Sequence, residues 1–190
     1  MKVALGVDLA GSSARPTGIC FLNEELVAET SIVYEDKEIL ELAFSRKPDI
    51  IAIDAPLSLP KKGRFRECDR ELLRRGIKLF PPTLGPMKKL TLRGIALKEM
   101  LERRGFRVIE VFPGGAQDVL GIPRKSRGVN RLAESLRALG IKNVPLEASP
   151  DELDAVTAAY VGILYLAGEV EIVSGSDGEI VMPRGIKKRL

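Results

Sequence analysis

The stretch Val3-Ala4-Leu5-Gly6-Val7-Asp8, followed by Leu9-Ala10-Gly11-Ser12-Ser13, decides how the chain is read. An apolar run bounded by turn residues predicts a strand buried on both faces. The run ends on a carboxylate, and an acid at the end of such a strand must be hydrogen-bonded, paired or bound to a cation. An aspartate there can simply accept N–H bonds from its own turn. The pattern recurs, however. Ile50-Ile51-Ala52-Ile53-Asp54, with Ala55-Pro56 after it, is a second buried run that stops on an aspartate.

Composition narrows the chemistry those acids can do. A length of 190 residues suits one domain, 1–190, and 45% hydrophobic with 29% charged residues is a globular profile. No apolar run approaches the roughly 18–20 residues that cross a bilayer, and no signal-like segment opens the chain, so a cytoplasmic protein is expected. Two cysteines, Cys20 and Cys68, are too few for a disulfide framework and suit a reducing compartment. The chain has no histidine. That excludes Ser-His-Asp and Cys-His nucleophile systems and histidine zinc sites, and leaves carboxylates, lysines, tyrosines and oxygen-bound metals. Thirty Lys and Arg against 26 acids give a formal charge of +4, compatible with nucleic acid. One glutamine and three asparagines beside many Lys, Arg and Glu make a thermophile-like composition, which accounts for part of the basic character.

Outward from the two acid-tipped runs, residues 17–23 and 26–33 predict strands joined by a tight Asn23-Glu24-Glu25 connection, hence an antiparallel meander with the first strand. A helix around 38–44 precedes the Ile50–Asp54 strand and implies a parallel crossover. Residues 57–94 read as a basic helical insertion, with a charged helix at 65–75 and an extended, proline-rich 80–86. A helix at 90–104, a strand at 106–112, short helices near 116–120 and 130–139, and a closing hairpin over 170–182 with a basic tail complete the order. Ser149-Pro150-Asp151-Glu152 opens the last helix: Ser149 as N-cap, Pro150 at N1 and Glu152 closing a capping box. The order predicts an α/β, ribonuclease H-like fold. Its core is a mixed five-stranded central sheet, three antiparallel strands then parallel ones, with helices on both sides, plus a C-terminal hairpin. Ligands of such sheets sit beyond the carboxyl ends of the strands, where Asp8 and Asp54 lie.

Two acids on neighbouring strands repel unless neutralised, and a hard divalent cation, Mg²⁺ or Mn²⁺, with oxygen ligands is the economical partner. The last helix offers the third ligand. Asp154 shares an inward stripe with Ala158, Val161 and Tyr165, and the small residues Ala155, Ala158, Ala159 and Gly162 imply close packing on the sheet. Asp151 is the alternative, although the helix dipole already explains a first-turn acid. Glu110 falls on an otherwise apolar strand face, either as a site acid or as the partner of a nearby arginine.

The chain resembles the domain-of-unknown-function family of predicted nucleases with a ribonuclease H-like fold. The match is carried by Gly6-Val7-Asp8 with Thr17-Gly18, Ile53-Asp54-Ala55-Pro56-Leu57, Arg66-Glu67-Cys68-Asp69, Ile109-Glu110-Val111-Phe112-Pro113 and Glu152-Leu153-Asp154-Ala155. The wider superfamily includes ribonuclease H and Holliday-junction resolvases. The resemblance implies phosphodiester hydrolysis by two metal ions on strand and helix carboxylates, and carries that role onto Asp8, Asp54 and Asp154, with Glu110 as a further acid. The superfamily often has glutamate where Asp54 stands.

A basic surface supplies the matching substrate contact. Lys61, Lys62, Arg64, Arg66, Arg70, Arg74 and Arg75 crowd one segment, with Arg66, Arg70 and Arg74 at four-residue spacing. Stacked like charges are unfavourable on a helix and are relieved by phosphates. Lys88, Lys89, Arg124, Lys125 and Arg127 extend the surface. Nearby aromatics are limited to Phe65 and Phe80, favouring backbone contact over base reading. The rival readings are nucleotide binding or phosphotransfer, from the Gly11-Ser12-Ser13 turn after Asp8, and a non-catalytic binding module on the same scaffold.

Overall fold

The computed structural model describes residues 1–185; the basic tail anticipated from the sequence falls mostly beyond them. The chain forms β1 (Val3–Asp8), β2 (Thr17–Asn23), β3 (Ala28–Val33), α1 (Asp36–Arg46), β4 (Ile50–Asp54), α2 (Glu67–Arg74), α3 (Pro86–Glu102), β5 (Val108–Val111), α4 (Pro113–Leu120), α5 (Val129–Ala138), α6 (Pro150–Ala167), β6 (Val170–Gly175) and β7 (Gly178–Pro183). The strands make one mixed sheet in the order β3-β2-β1-β4-β5-β7-β6. The α/β, ribonuclease H-like class anticipated is the one adopted, but the count of five strands is corrected to seven. A parallel strand such as β5 leaves one row of backbone N–H and C=O groups unpaired at an open edge. β7 pairs with that edge in parallel and β6 pairs outside it, so the closing hairpin belongs to the sheet. α3 also starts earlier than its apolar periodicity suggests, at Pro86, which sits at N1 where its missing N–H costs nothing.

Strand alternation divides the core. Leu5, Val7, Ile51 and Ile53 face α1 and α3 through Ile39, Ala43, Leu97 and Leu101. The other face, with Ala4, Ile50, Ala52, Ile109 and Val111, packs on α4 and α6. α2 closes over the hairpin through Cys68, Leu72, Val173, Ile180 and Met182.

α6 lies almost on the sheet backbone. A Cβ at Gly6 would stand 2.1 Å from the Ala155 carbonyl oxygen, and one at Gly18 would stand 2.0 Å from that of Asp151. Both are backbone atoms that cannot swing aside. Glycine in the Gly6-Val7-Asp8 and Thr17-Gly18 motifs is therefore a matter of close approach, and it fixes how deeply the helix seats. Gly6→Ala is expected to lift α6 and lower the melting temperature by several degrees, since overpacking costs about 1–3 kcal/mol and each kcal/mol moves a chain of this size by ~2–4 °C. A differential scanning calorimetry trace unchanged from wild type would show that the helix yields freely.

Candidate active site

Asp8 and Asp54 end neighbouring parallel strands and are paired in register, so their side chains leave the same sheet edge on the α6 face. α6 is aimed at them by its first turn. Ser149 Oγ accepts from the Glu152 N–H at 3.2 Å, Glu152 Oε2 accepts from the Ser149 N–H at 2.9 Å, and Thr30 Oγ1 donates to Glu152 Oε1 at 2.8 Å, tying the helix start to β3. One turn on, Asp154 is buried with 5% exposure. One oxygen each from Asp8, Asp54 and Asp154 lies within 4.8 Å of the other two. Asp151 stands outside this group, so Asp154 is the acid of α6 that completes it.

Burial pushes the Asp8 carboxyl up to about 7, with Asp154 and Asp151 adding repulsion and Lys125 opposing it. Asp54 is raised well above the carboxylate range by burial and by the charges of Asp8 and Asp154. The acid cluster is thus electrostatically unfinished, and a residue read from the sequence only as part of the basic surface answers it in part. Lys125 Nζ lies 2.7 Å from Asp154 Oδ2, 3.4 Å from Asp8 Oδ2 and 3.6 Å from Asp151 Oδ1. Burial disfavours its charge, but the carboxylates outweigh that and hold it protonated. Lys125 rides on a single 3₁₀ turn, Lys125–Arg127, bounded by Gly121 and Gly128 in positive-φ conformations. Two of the acids that Lys125 meets, Asp8 and Asp154, converge with Asp54, and three carboxylate oxygens this close together are a donor set that fits a hard divalent ion, Mg²⁺ or Mn²⁺.

Gln117 is a second participant that the sequence reading passed over. Its Nε2 donates to Asp154 Oδ1 at 2.9 Å and to Thr157 Oγ1 at 3.1 Å, orienting the carboxylate from α4. The available signal was its rarity: it is the chain's one glutamine.

Glu110 is corrected as a site acid. β5 is in register with β4 so that Asp54 pairs with Val111 and Ile53 with Glu110. Glu110 therefore points to the α1–α3 face, opposite the three aspartates. There it accepts from Arg66 Nη2 at 2.6 Å, Arg66 Nη1 at 2.7 Å and the Leu57 N–H at 2.7 Å.

Arg66 is corrected as well. It is the N-cap of α2, in an extended conformation, so helical i,i+4 spacing does not apply to it. The side chain turns inward to 1% exposure and donates also to both oxygens of Asp69 and to Ser58. The surface arginines have protein partners of their own: Arg70 donates to the Phe65 carbonyl at 2.9 Å and Arg74 pairs with Glu71 at 3.0 Å. Lys61, Lys62, Arg64, Lys88 and Lys89 are exposed. The Gly11-Ser12-Ser13 turn borders Glu35, Asp36 and Arg93, whose guanidinium is spent on Asp36 and on the carbonyls of Ala10 and Tyr34.

The fold and the convergence of acids at its strand ends define a ribonuclease H-like α/β protein with a three-aspartate site. The family model described as Protein of unknown function (DUF429) matches residues 6–178, and the chain belongs to that family. Among solved structures it is similar to Thermus thermophilus RuvC, with a TM-score of 0.53 and 14% identity over 93% of this chain and 99% of that one. It is also similar to T. thermophilus RuvC in complex with Holliday junction substrate, with a TM-score of 0.49, 14% identity and the same coverage. No curated protein matches. No helix among the described residues is long and apolar enough to cross a membrane.

Proposed function

We propose that the chain is a divalent-metal-dependent nuclease that hydrolyses phosphodiester bonds of DNA or RNA at Asp8, Asp54 and Asp154. The observation that carries the reading is the meeting of these three carboxylates within 4.8 Å at the carboxyl edge of the sheet. The ribonuclease H-like fold supports it, as does the shortage of positive charge at the cluster, where Lys125 pairs with Asp8 and Asp154 but not with Asp54. The three aspartates would hold Mg²⁺ or Mn²⁺. A bound divalent ion supplies a more acidic water and charge compensation at the reacting phosphate.

The remaining roles belong to the chain. Gln117 keeps one Asp154 oxygen turned to its own amide, leaving the other for the site. Lys125 partly neutralises Asp8 and Asp154 when no metal is bound and, on release, is a cation at hand for a phosphate entering the cleft. The exposed Lys61, Lys62, Arg64, Lys88 and Lys89 supply a sequence-independent attraction for a polyanion. With both cysteines buried as free thiols, the chain suits the reducing cytoplasm.

The test is titration with Mn²⁺ by calorimetry alongside cleavage of labelled DNA and RNA. Binding in the micromolar to millimolar range with metal-dependent cleavage, both lost in Asp154→Asn, is expected; no heat and no cleavage would end the reading. Lys125→Met probes the same site from the other side. Deleting a competing unit charge near 4 Å is worth about 1–4 kcal/mol, so Mn²⁺ should bind ~5-fold tighter or more, while the chelated protein melts lower. Weaker Mn²⁺ binding in this variant would mean that the lysine helps to build the site.

A further inference from the structure

Beside the three aspartates the structure opens a cavity of about 480 Å³ that a metal and a phosphate do not explain. Asp54 and Asp154 form one end, and the walls continue over Leu79, Phe80, Met87 and Leu90. That volume falls in the range of small-molecule clefts, about 300–1,000 Å³. A solvated phosphate backbone gains nothing from apolar walls, and a divalent ion is far too small to fill them. At the rim Phe80 is 74% exposed, a large aromatic face that no other described part of the chain covers. Lys78 and Arg124 stand on the same lining; the Arg124 guanidinium is paired with Asp118 and lies 5.3 Å from the centre of the Phe112 ring. The polar part of the lining is the buried cluster of Arg66, Asp69 and Glu110, in which all five Arg66 donor hydrogens are engaged.

We infer that this cavity is a nucleobase subsite: it takes one unstacked base of the strand whose phosphate lies at the aspartates, with Phe80 as its stacking platform. The inference deepens the nuclease reading and rests on it for the position of the phosphate. Flat, apolar-faced and edged with polar groups, a base matches the apolar walls and the aromatic rim together, while Lys78 supplies positive charge for the flanking phosphate, Arg124 being paired with Asp118. The occupied form is a strand end or a splayed, single-stranded base, since a base paired in a duplex cannot enter a cleft of this kind.

Calorimetry with AMP, CMP and ribose 5-phosphate in Mn²⁺ tests this directly. The two nucleotides should bind at least ~10-fold more tightly than the sugar phosphate. Phe80→Ala should remove most of that advantage and leave ribose 5-phosphate unchanged, with Phe80→Trp restoring it, in line with the cost of losing one stacked base. Equal affinity for nucleotide and sugar phosphate, or equal losses of both in Phe80→Ala, would overturn the subsite. An oligonucleotide carrying a single abasic position separates this inference from the reading beneath it. Cleavage that proceeds alike at abasic and normal positions would keep the nuclease and reject the subsite. Base-dependent nucleotide binding with no cleavage of any nucleic acid would support the subsite and reject the nuclease.

Discussion

Asp54→Asn is expected to raise the melting temperature of the chelated protein at pH 7 while abolishing its response to Mn²⁺. Asp54 is the acid of the three with the least compensation. Lys125 reaches Asp8, Asp154 and Asp151, but among the described residues no cation lies within 4.0 Å of Asp54. Burial and two neighbouring carboxylates raise its proton affinity well above the usual range. An amide of the same shape keeps the packing and removes the repulsion, a gain of about 1–3 kcal/mol, or ~2–12 °C for a chain of this length.

The pH dependence follows with a definite sign. An unfolded aspartate titrates near 4, while folded Asp8 titrates at about 7. Between those values the folded state binds more protons than the unfolded one, so the contribution is full below the lower value and is lost as pH rises through the upper. The metal-free protein should therefore lose stability between about pH 4 and 7, the reverse of ordinary acid denaturation, and Asp54→Asn should flatten the trend. Thermal melts in EDTA across that interval decide the matter. A lower melting temperature for Asp54→Asn at pH 7 would mean that the carboxylate is satisfied by something other than a metal.

The second large effect is Arg66→Met, which should lower the melting temperature by about 6–20 °C. The guanidinium bridges Glu110 and Asp69 at 2.6–3.0 Å in a site with 1% exposure. Deleting one partner of a buried ionic cluster strands the others, at about 3–5 kcal/mol. Arg66→Lys should recover little, because a single ammonium cannot serve two carboxylates bidentately. Arg74→Gln, on the exposed side of the same helix, should lower the melting temperature by no more than ~2 °C. Replacing Arg66, Asp69 and Glu110 together by apolar residues should return much of the loss. A melting temperature for Arg66→Met within a degree of wild type would restore this arginine to the surface and to phosphate contact.

The parts of the site that were legible in the sequence are those written in local periodicity. An apolar run capped by an aspartate, found twice, gives strands, faces and a shared edge without any knowledge of the partner chain segment. The capping box at Ser149 and the small residues of α6 give the helix start and its intimacy with the sheet. What was not legible depends on register and side-chain direction. Glu110 is one residue away from the parity that would place it with the aspartates, and only the pairing of Asp54 with Val111 shows which parity holds. Arg66 fits a helical stripe by spacing, yet it is a cap residue with an extended backbone. Lys125 lies on an irregular turn between two glycines, where no periodicity says which way a side chain points. The closing hairpin looks self-contained because strand patterns carry no address for the edge they will join.

The seating of α6 on bare glycine backbone also bears on the order of events as the chain acquires its structure. Two of the three aspartates belong to the first strands to be made, and the third arrives on the last helix. A chain that has formed β1 through β4 already holds Asp8 and Asp54 side by side, but it lacks Asp154, and Gln117 has nothing to orient. Closing so long a loop is entropically slow and is repaid only when the whole helix beds down. The complete cluster of three aspartates would consequently be the final feature to emerge: partly folded forms, however native their sheet, would carry two mutually repelling acids without the third.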